Sequence, residues 1–282
     1  MNKSLPSGSS LEALAARRAA GAAFPKSGNG LDARQGERLH WFKFAAPQAF
    51  FSLSGKLIPW FSASAVLLGI AGLVIGFLVA PTDAQQGDAY RIIFIHVPAA
   101  WMSMFVYLVM AFWAGLGLAM NTRMSSMMAS ALAPTGAMFT FLALWTGALW
   151  GKPTWGAWWV WDARLTSELI LLFLYVGFMA LQAAIDDPRR ADKAGAVLAL
   201  VGVVNVPIIY FSVKWWNTLH QGSSINLKSA PTMAATMLVG MLVMALAFWA
   251  YTIAVTLKRA RAIVLERERH ADWVANIKEV AP

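Results

Sequence analysis

Apolar residues gather into six runs of roughly twenty residues each, and shorter polar or charged connections separate the runs. A helix of about twenty apolar residues crosses a hydrocarbon core roughly 30 Å thick, and it satisfies its backbone hydrogen bonds internally. The pattern therefore predicts an all-α integral membrane protein with six transmembrane helices. The predicted spans are residues 60–80, 98–120, 127–150, 165–185, 195–213 and 233–257.

Three prolines refine these spans. The second run could begin at Ile92, but Pro98 suits the first turn of a helix, so we expect residues 90–97 to lie along the outer interface. Pro134 and Pro207 fall inside the third and fifth spans, where a missing amide donor predicts a bend. A simple packing role is the alternative for both.

Basic residues lie between and beyond the apolar runs. Of the 23 Lys and Arg residues, eighteen fall on the side that holds both termini and five fall on the other side. Loops rich in Lys and Arg face the cytoplasm, so both termini are predicted to be cytoplasmic. The loop between the third and fourth spans would then lie on the non-cytoplasmic side of the membrane. This orientation accounts for the net charge of +9 without a nucleic-acid partner.

The runs divide the chain into four predicted parts. Residues 1–38, rich in Ser, Gly and Ala, are expected to form a disordered cytoplasmic tail. Residues 39–59 mix aromatic and basic side chains, which favours an interfacial segment. Residues 60–257 form the six-helix domain, and residues 258–282 form a cytoplasmic C-terminal tail. The first span lies too far along the chain for a cleavable leader, so it is interpreted as a signal anchor.

The connection between spans three and four, residues 150–164, is called the tryptophan loop here. It has five tryptophans within twelve residues. Indoles favour the membrane interface, so an aromatic belt explains each one taken alone. Their density instead favours an apolar surface for a flat aromatic ligand, with Gly151 and Gly156 keeping the indoles close. The tryptophans are Trp150, Trp155, Trp158, Trp159 and Trp161.

Two histidines flank the tryptophan loop on the same predicted side, His96 before span two and His220 after span five. Each one alone is more often a hydrogen-bonded structural residue than a ligand. Together they favour axial ligation of haem iron, with the indoles stacking on the macrocycle. His40 and His270 fall on the cytoplasmic side and are expected to be solvated. The absence of cysteine excludes covalent attachment of haem through Cys-x-x-Cys-His.

Charged residues complete the candidate site. Haem propionates attract cations, and four of the five basic residues on this side are candidate contacts: Arg91, Lys152, Arg164 and Lys214. Asp162 and Arg164 could face a ligand, or they could pair and cap the fourth helix. Glu168 is expected to be structural or interfacial. A second cluster, Trp215 and Trp216, lies close to His220 and could belong to the aromatic belt.

The motif WGAWWVWDARLT at residues 155–166 resembles the tryptophan-rich "WWD" signature of the haem-handling family of cytochrome c maturation. Supporting stretches are YRIIFIHVPAA at 90–100 and WWNTLHQG at 215–222. The resemblance runs from about residue 39 to residue 261. Residues 1–38 depart from the shorter family pattern.

The resemblance implies a function and a set of partners. The periplasmic tryptophan loop would bind haem b non-covalently as transient cargo, with His96 and His220 as axial ligands. The residues that contact the cargo would be Trp155, Gly156, Trp158, Trp159, Trp161, Asp162 and Arg164. Implied partners are the periplasmic haem chaperone CcmE, the small membrane protein CcmD and the ATP-binding transporter complex CcmAB. The sequence has no P-loop, so ATP use would belong to a partner.

Three other functions compete with haem delivery by a protein that is not an enzyme. A transmembrane haem transporter would need polar residues at mid-membrane, and charged residues are missing from the middle of every predicted span. A membrane b-type cytochrome usually carries histidine pairs within its spans, whereas His96 and His220 lie at the outer ends. A pure assembly scaffold would bind no haem.

Overall fold

A computed structural model describes residues 46–216, 218–220 and 233–280. The predictions for the tail 1–38 and for His40 lie outside these residues. Eight α-helices are described in this part of the chain. They are α1 Pro47–Val74, α2 Ile93–Met120, α3 Arg123–Trp155, α4 Ala163–Ala184, α5 Pro188–Gly202, α6 Asn205–Trp215, α7 Ala235–Arg267 and α8 Asp272–Val280.

Six helical stretches in the described residues are long and apolar enough to cross a membrane, which confirms the predicted all-α class and the number of spans. They extend beyond the predicted bounds, because hydropathy reports only the part of a helix that contacts hydrocarbon. The first stretch starts at Pro47, a favoured first helical residue, and runs without a break through residues 47–59 of the segment predicted to be interfacial. It ends in a π-helical turn at Ile75–Val79.

The second span begins earlier than predicted. A 3-10 turn at Asp88–Ile92 leads directly into α2, which starts at Ile93. The prediction that the helix starts at Pro98 and leaves residues 90–97 outside it was therefore wrong. Pro98 is buried within the second turn of α2, where its missing amide costs one helical hydrogen bond. His96 consequently sits in the first turn of a rigid helix.

The fifth span consists of two helices. It breaks at Val203 and Val204, four and three residues before Pro207. Proline clashes with the carbonyl four residues earlier, so the interruption of the helix falls where this clash would occur. Asn205, buried beside the break, donates its Nδ2 to the carbonyl of Ser167 at 2.9 Å and ties α6 to α4. Helix α3 carries Pro134 without interruption.

Helices α2 and α3 pack together along most of their length, and α1 packs on α7. The centre of the bundle is filled by large side chains that are fully buried: Tyr107, Tyr175, Phe139, Met110 and Leu171. Gly136 and Gly202 leave the space that the Tyr175 and Tyr107 rings occupy, as small residues commonly do between membrane helices. The outer faces of α1, α4 and α5 are apolar and exposed, which suits contact with lipid.

Candidate functional site

A pocket opens at the end of the bundle where α2 begins and α3 ends, and we call it the histidine pocket. The empty space in it, which includes solvent at its open mouth, is about 640 Å³. Most of its wall is apolar, with a few polar groups at defined positions. The lining residues are His96, Ala100, Ala143, Leu144, Gly147, Trp150, Thr154, Trp155, Arg164, Leu165, Glu168 and His220.

His96 is buried in this wall and is held by α3. Its Nδ1 lies 3.0 Å from Oγ1 of Thr146. The Thr146 hydroxyl donates its single hydrogen to the carbonyl of Leu142 at 2.6 Å. Because that hydrogen is already used, the network assigns the Nδ1 proton to His96 as the donor. Nε2 of His96 then keeps a lone pair that can bind a metal.

His220 lies across the pocket from His96. The two ring centres are 6.3 Å apart, and the ring planes are inclined by 35°. The backbone amide of His220 donates to Oγ1 of Thr218 at 3.1 Å, which orders the segment that follows α6. The centres of the Trp155 and His220 rings are 6.3 Å apart. The structure thus brings together three of the predicted site residues.

Trp150 is a member of the tryptophan loop to which sequence reasoning gave no individual role. Its ring packs edge-on against His96, with centres 5.6 Å apart. Its indole nitrogen donates to Oε1 of Gln86 at 2.7 Å. The carboxylate of Asp83 orders this connection by accepting the amides of Gln85 and Gln86. Sequence reasoning missed Gln86, since a polar residue in a short connection carries no signal for this role.

The end of α3 positions Trp155 at the pocket. Gly156 follows it with φ of 76°, a left-handed conformation that ends helices and favours glycine. The amide of Gly156 donates to the carbonyl of Lys152 at 3.1 Å. Gly151 provides room for the Trp155 ring, because a Cβ there would come within 3.0 Å of that ring. The two glycines therefore shape the helix end that carries Trp155.

The other predicted tryptophans do not line the pocket. Trp158 and Trp161 are 55% and 77% exposed, on the irregular segment between α3 and α4. Trp159 packs edge-on against Trp161 with centres 5.4 Å apart. The Nε1 of Trp159 is buried and has no hydrogen-bond partner among the described residues. The five indoles thus divide into two at the pocket and three beside it.

Asp162 is the N-cap of α4. Its Oδ1 accepts a hydrogen bond from the amide of Leu165 at 2.8 Å, so this oxygen caps the helix, which is one of the two roles expected from the sequence. Its Oδ2 is buried without a hydrogen-bond partner in the described part of the chain. Arg164, two residues on, lines the histidine pocket and donates Nη1 to the carbonyl of Ile209 at 2.9 Å. This bond joins the start of α4 to α6.

Glu168 is a buried carboxyl group at the pocket wall, one helical turn beyond Arg164. The Ser103 hydroxyl donates to it at 2.7 Å, and Tyr175 donates to the Ser103 carbonyl at 2.8 Å. The structural role expected for Glu168 matches these bonds, which tie α2 to α4. Its place in the pocket wall was not foreseen from the sequence.

The other basic residues near this end have different contacts. Arg91 donates Nη1 to the carbonyls of Gly76 and Ala80 at 2.8 and 3.0 Å, which caps the end of the first span. Lys152 donates to the Gly156 carbonyl at 3.2 Å, and Lys214 lies over the Phe211 ring at 5.6 Å. Arg164 is therefore the basic residue that the described structure places in the pocket wall.

The fold and the pocket define a class: a six-span membrane protein with an apolar pocket that has two imidazoles, two indoles and one guanidinium in its wall. Residues 40–275 match the profile of the family described as "Heme exporter protein C", CcmC. The chain belongs to this family, so the resemblance seen in the motifs is confirmed.

Individual relatives cover most of the chain. The "Heme exporter protein C" of Escherichia coli strain K12 is 47% identical over 236 residues, which are 83% of this chain and 95% of the relative. The protein of the same description from Bradyrhizobium diazoefficiens is 50% identical over 224 residues, 79% of this chain and 84% of the relative. The Haemophilus influenzae protein is 47% identical over 232 residues, 82% and 94% of the two chains.

Proposed function

We propose that this chain binds haem b non-covalently between His96 and His220 and passes it to a periplasmic haem chaperone of the CcmE type. Membership of the CcmC family implies haem handling in cytochrome c maturation. Transfer of an intact cargo requires no bond-making by side chains of this chain. The chain would therefore be a handling protein rather than an enzyme.

The observation that carries the proposal is the spacing of the two imidazoles. Two imidazoles on opposite sides of one iron hold their ring centres about 6 to 6.5 Å apart, because each metal–nitrogen bond is about 2 Å and each centre lies about 1.1 Å behind its nitrogen. The observed distance between the centres of His96 and His220 is 6.3 Å. The tautomer of His96 supports the same arrangement, since Nε2 is the nitrogen left to bind.

The ligand set favours haem over a bare metal ion. The described residues contain no cluster of three or more His, Asp or Glu side chains that could hold an ion. Haem brings four of its own nitrogens and needs only axial ligands. Trp150 and Trp155 offer ring faces to the macrocycle, and Arg164 offers a cation to a propionate. Trp158, Trp159, Trp161, Gly156 and Asp162 would border the bound cargo or its recipient.

The orientation of the chain is part of the proposal. The predicted order of the spans assigns eighteen of the 23 basic residues to the side opposite the histidine pocket, which favours a periplasmic pocket and cytoplasmic termini in a bacterial inner membrane. A chaperone could then approach the exposed Trp158 and Trp161 from the aqueous phase. CcmD and an ATP-binding complex of the CcmAB type would be partners, with ATP used by that complex.

Transport of haem through this chain alone is the competing function. Beyond the histidine pocket, Tyr107, Tyr175, Phe139 and Leu171 fill the middle of the bundle and are fully buried. A haem-sized path along the bundle axis would require these side chains to move apart. The packing thus supports delivery, and uptake of haem by vesicles that contain only this protein would overturn that conclusion.

The test uses the full chain, purified from haem-replete cells into lipid nanodiscs. We expect the untreated protein to carry haem with a two-imidazole absorption spectrum and to transfer it to a purified CcmE-type chaperone. His96→Ala and His220→Ala should each abolish that spectrum, and the double variant should lose transfer. His270→Ala, which removes an exposed histidine at the other end of the bundle, is the matched control. Full transfer by the double variant would contradict the ligand assignment.

A further inference from the structure

A second pocket lies at the opposite end of the bundle, where α2 ends and α3 begins. We call it the basic pocket, and its open volume is about 560 Å³. The first turns of α5 form its other wall. The lining residues are Gly117, Leu118, Asn121, Thr122, Arg123, Ser126, Arg189, Asp192 and Lys193.

The charge of this pocket is positive. Arg123, Arg189 and Lys193 contribute three cations, against one carboxylate, Asp192. That carboxylate is already neutralised, because Arg267 binds both of its oxygens at 2.7 and 2.9 Å.

Arg123 also pairs with a neighbouring acid. Its Nη1 lies 3.0 Å from Glu268, yet the Arg123 side chain is 61% exposed. Its remaining N–H groups can therefore still reach a ligand. Arg189 and Lys193 are exposed as well. The pocket consequently has a surplus of cationic donors for an anionic ligand.

An apolar surface continues from the pocket along the outside of α5. Lys193, Val197 and Val201 follow one another at intervals of four residues, so they lie on one face of the helix. Val197 is 54% exposed and Val201 is 67% exposed. Leu118, in the pocket wall, is 39% exposed. A ligand made of an anion with an attached hydrocarbon chain would contact the basic pocket with its charge and the apolar surface with its chain.

The depth of the basic residues fits this geometry. Lys193 is five residues from the start of α5, about 7.5 Å along the helix axis. The headgroup layer on each side of a bilayer is about 5 to 7 Å thick. With Pro188 at the outer edge of the headgroup layer, Lys193 would lie near the boundary between headgroups and hydrocarbon, with Val197 and Val201 on the hydrocarbon side.

We propose that the basic pocket binds the phosphate of an anionic phospholipid, with its acyl chains along Val197 and Val201 on α5. Basic pockets between membrane helices at the cytoplasmic side bind such headgroups. The pocket wall has no aromatic residue for a nucleobase to stack on. This inference concerns the end of the bundle remote from the histidine pocket, so it stands or fails independently of haem binding.

The test compares phospholipid retention by two doubly substituted proteins. Arg189→Gln with Lys193→Gln removes two cations from the pocket. The control, Arg190→Gln with Lys258→Gln, removes two exposed cations that do not line it. Each full chain is purified in detergent and titrated with phosphatidylglycerol, phosphatidylcholine or inorganic phosphate, and bound species are counted by native mass spectrometry.

We expect phosphatidylglycerol to bind the pocket variant roughly tenfold to thirtyfold more weakly than the control, the loss typical for two cations near an anionic headgroup. Phosphatidylcholine should bind weakly to both. Lys193→Arg, which keeps the charge, should retain phosphatidylglycerol and would show that binding follows the charge at this position. Equal phosphatidylglycerol binding by both double variants would overturn the proposal. Binding of inorganic phosphate as strong as that of phosphatidylglycerol would overturn the lipid assignment.

Discussion

The hydroxyl group of Thr146 lies between the imidazole of His96 and the backbone of its own helix. It is 3.0 Å from Nδ1 of His96 and 2.6 Å from the carbonyl of Leu142. Its single hydrogen is used by the backbone, so the imidazole must donate to it. One threonine within an apolar span thereby sets which nitrogen of His96 keeps its lone pair.

Replacing Thr146 by valine should weaken haem binding while the fold is kept. Valine has nearly the same shape but cannot accept the Nδ1 proton, so the ring loses its preferred tautomer and orientation. Loss of such an outer hydrogen bond typically weakens metal binding about 10- to 100-fold. Haem titration followed by absorption measures this, and Thr146→Ser, which keeps the hydroxyl, should bind within a few-fold of the unmodified chain. Equal affinity for the valine variant would contradict the role of Thr146.

Gln86 should support the site through Trp150. Gln86→Ala leaves the Trp150 indole nitrogen without its 2.7 Å partner and frees the ring that packs on His96. A lost hydrogen bond of this kind costs about 1 kcal/mol, which corresponds to roughly a fivefold loss of haem affinity. Gln85→Ala, beside it, alters an exposed side chain and is the control. An equal loss of haem affinity in Gln86→Ala and Gln85→Ala would show that the whole connection, and not the hydrogen bond between Gln86 and Trp150, supports the site.

Gly147 and Gly69 should respond oppositely to alanine. A Cβ at Gly147 would approach Cε1 of His96 to 3.1 Å, so the imidazole must shift. We expect a changed haem spectrum and weaker binding, with an overpacking cost of about 1 to 3 kcal/mol. At Gly69 a Cβ meets nothing within 4 Å, and alanine should raise the thermal midpoint because it is the better helix former. An unchanged spectrum in Gly147→Ala would show that His96 can move without consequence.

The number and order of the spans were predictable from the sequence because each span is a long run of apolar residues. Six apolar runs gave six spans, and Pro207 marked the break near residue 203 that divides the fifth span into α5 and α6. The start of α2 was not predictable in this way, since Pro98 marks a possible first turn but does not require one. Pro98 lies in the second turn of α2, where its missing amide removes one hydrogen bond and the helix continues through it.

The candidate site was predictable in its residue types and less so in its geometry. His96, His220, Trp155 and Arg164 come together as the motifs suggested. The sequence could not distinguish Trp155, which lines the pocket, from Trp158 and Trp161, which do not. The left-handed conformation of Gly156 ends α3 directly after Trp155, so Trp158 and Trp161 lie beyond the helix. Thr146 and Gln86 each contact a residue that is more than forty positions away in the sequence. A local sequence pattern carries no information about such contacts.

Arg91 should contribute to stability instead of haem binding. Its guanidinium binds the carbonyls of Gly76 and Ala80, which have no helical partner at the end of the first span. Its other contact, Asp88, is 75% exposed, and such surface pairs contribute about 0 to 1 kcal/mol.

We therefore expect Arg91→Gln to lower the stability by about 2 kcal/mol, since bonds to charged groups contribute about 1.5 to 3 kcal/mol each and glutamine keeps part of the donor capacity. For a chain of this size the thermal midpoint should fall by roughly 4 to 8 °C. Asp88→Asn, the control, should change the midpoint by less than about 4 °C. Tryptophan fluorescence during heating in detergent gives both midpoints, and haem titration below the transition should give unchanged affinity for both. A stable Arg91→Gln protein that binds haem more weakly would instead place this guanidinium on a propionate.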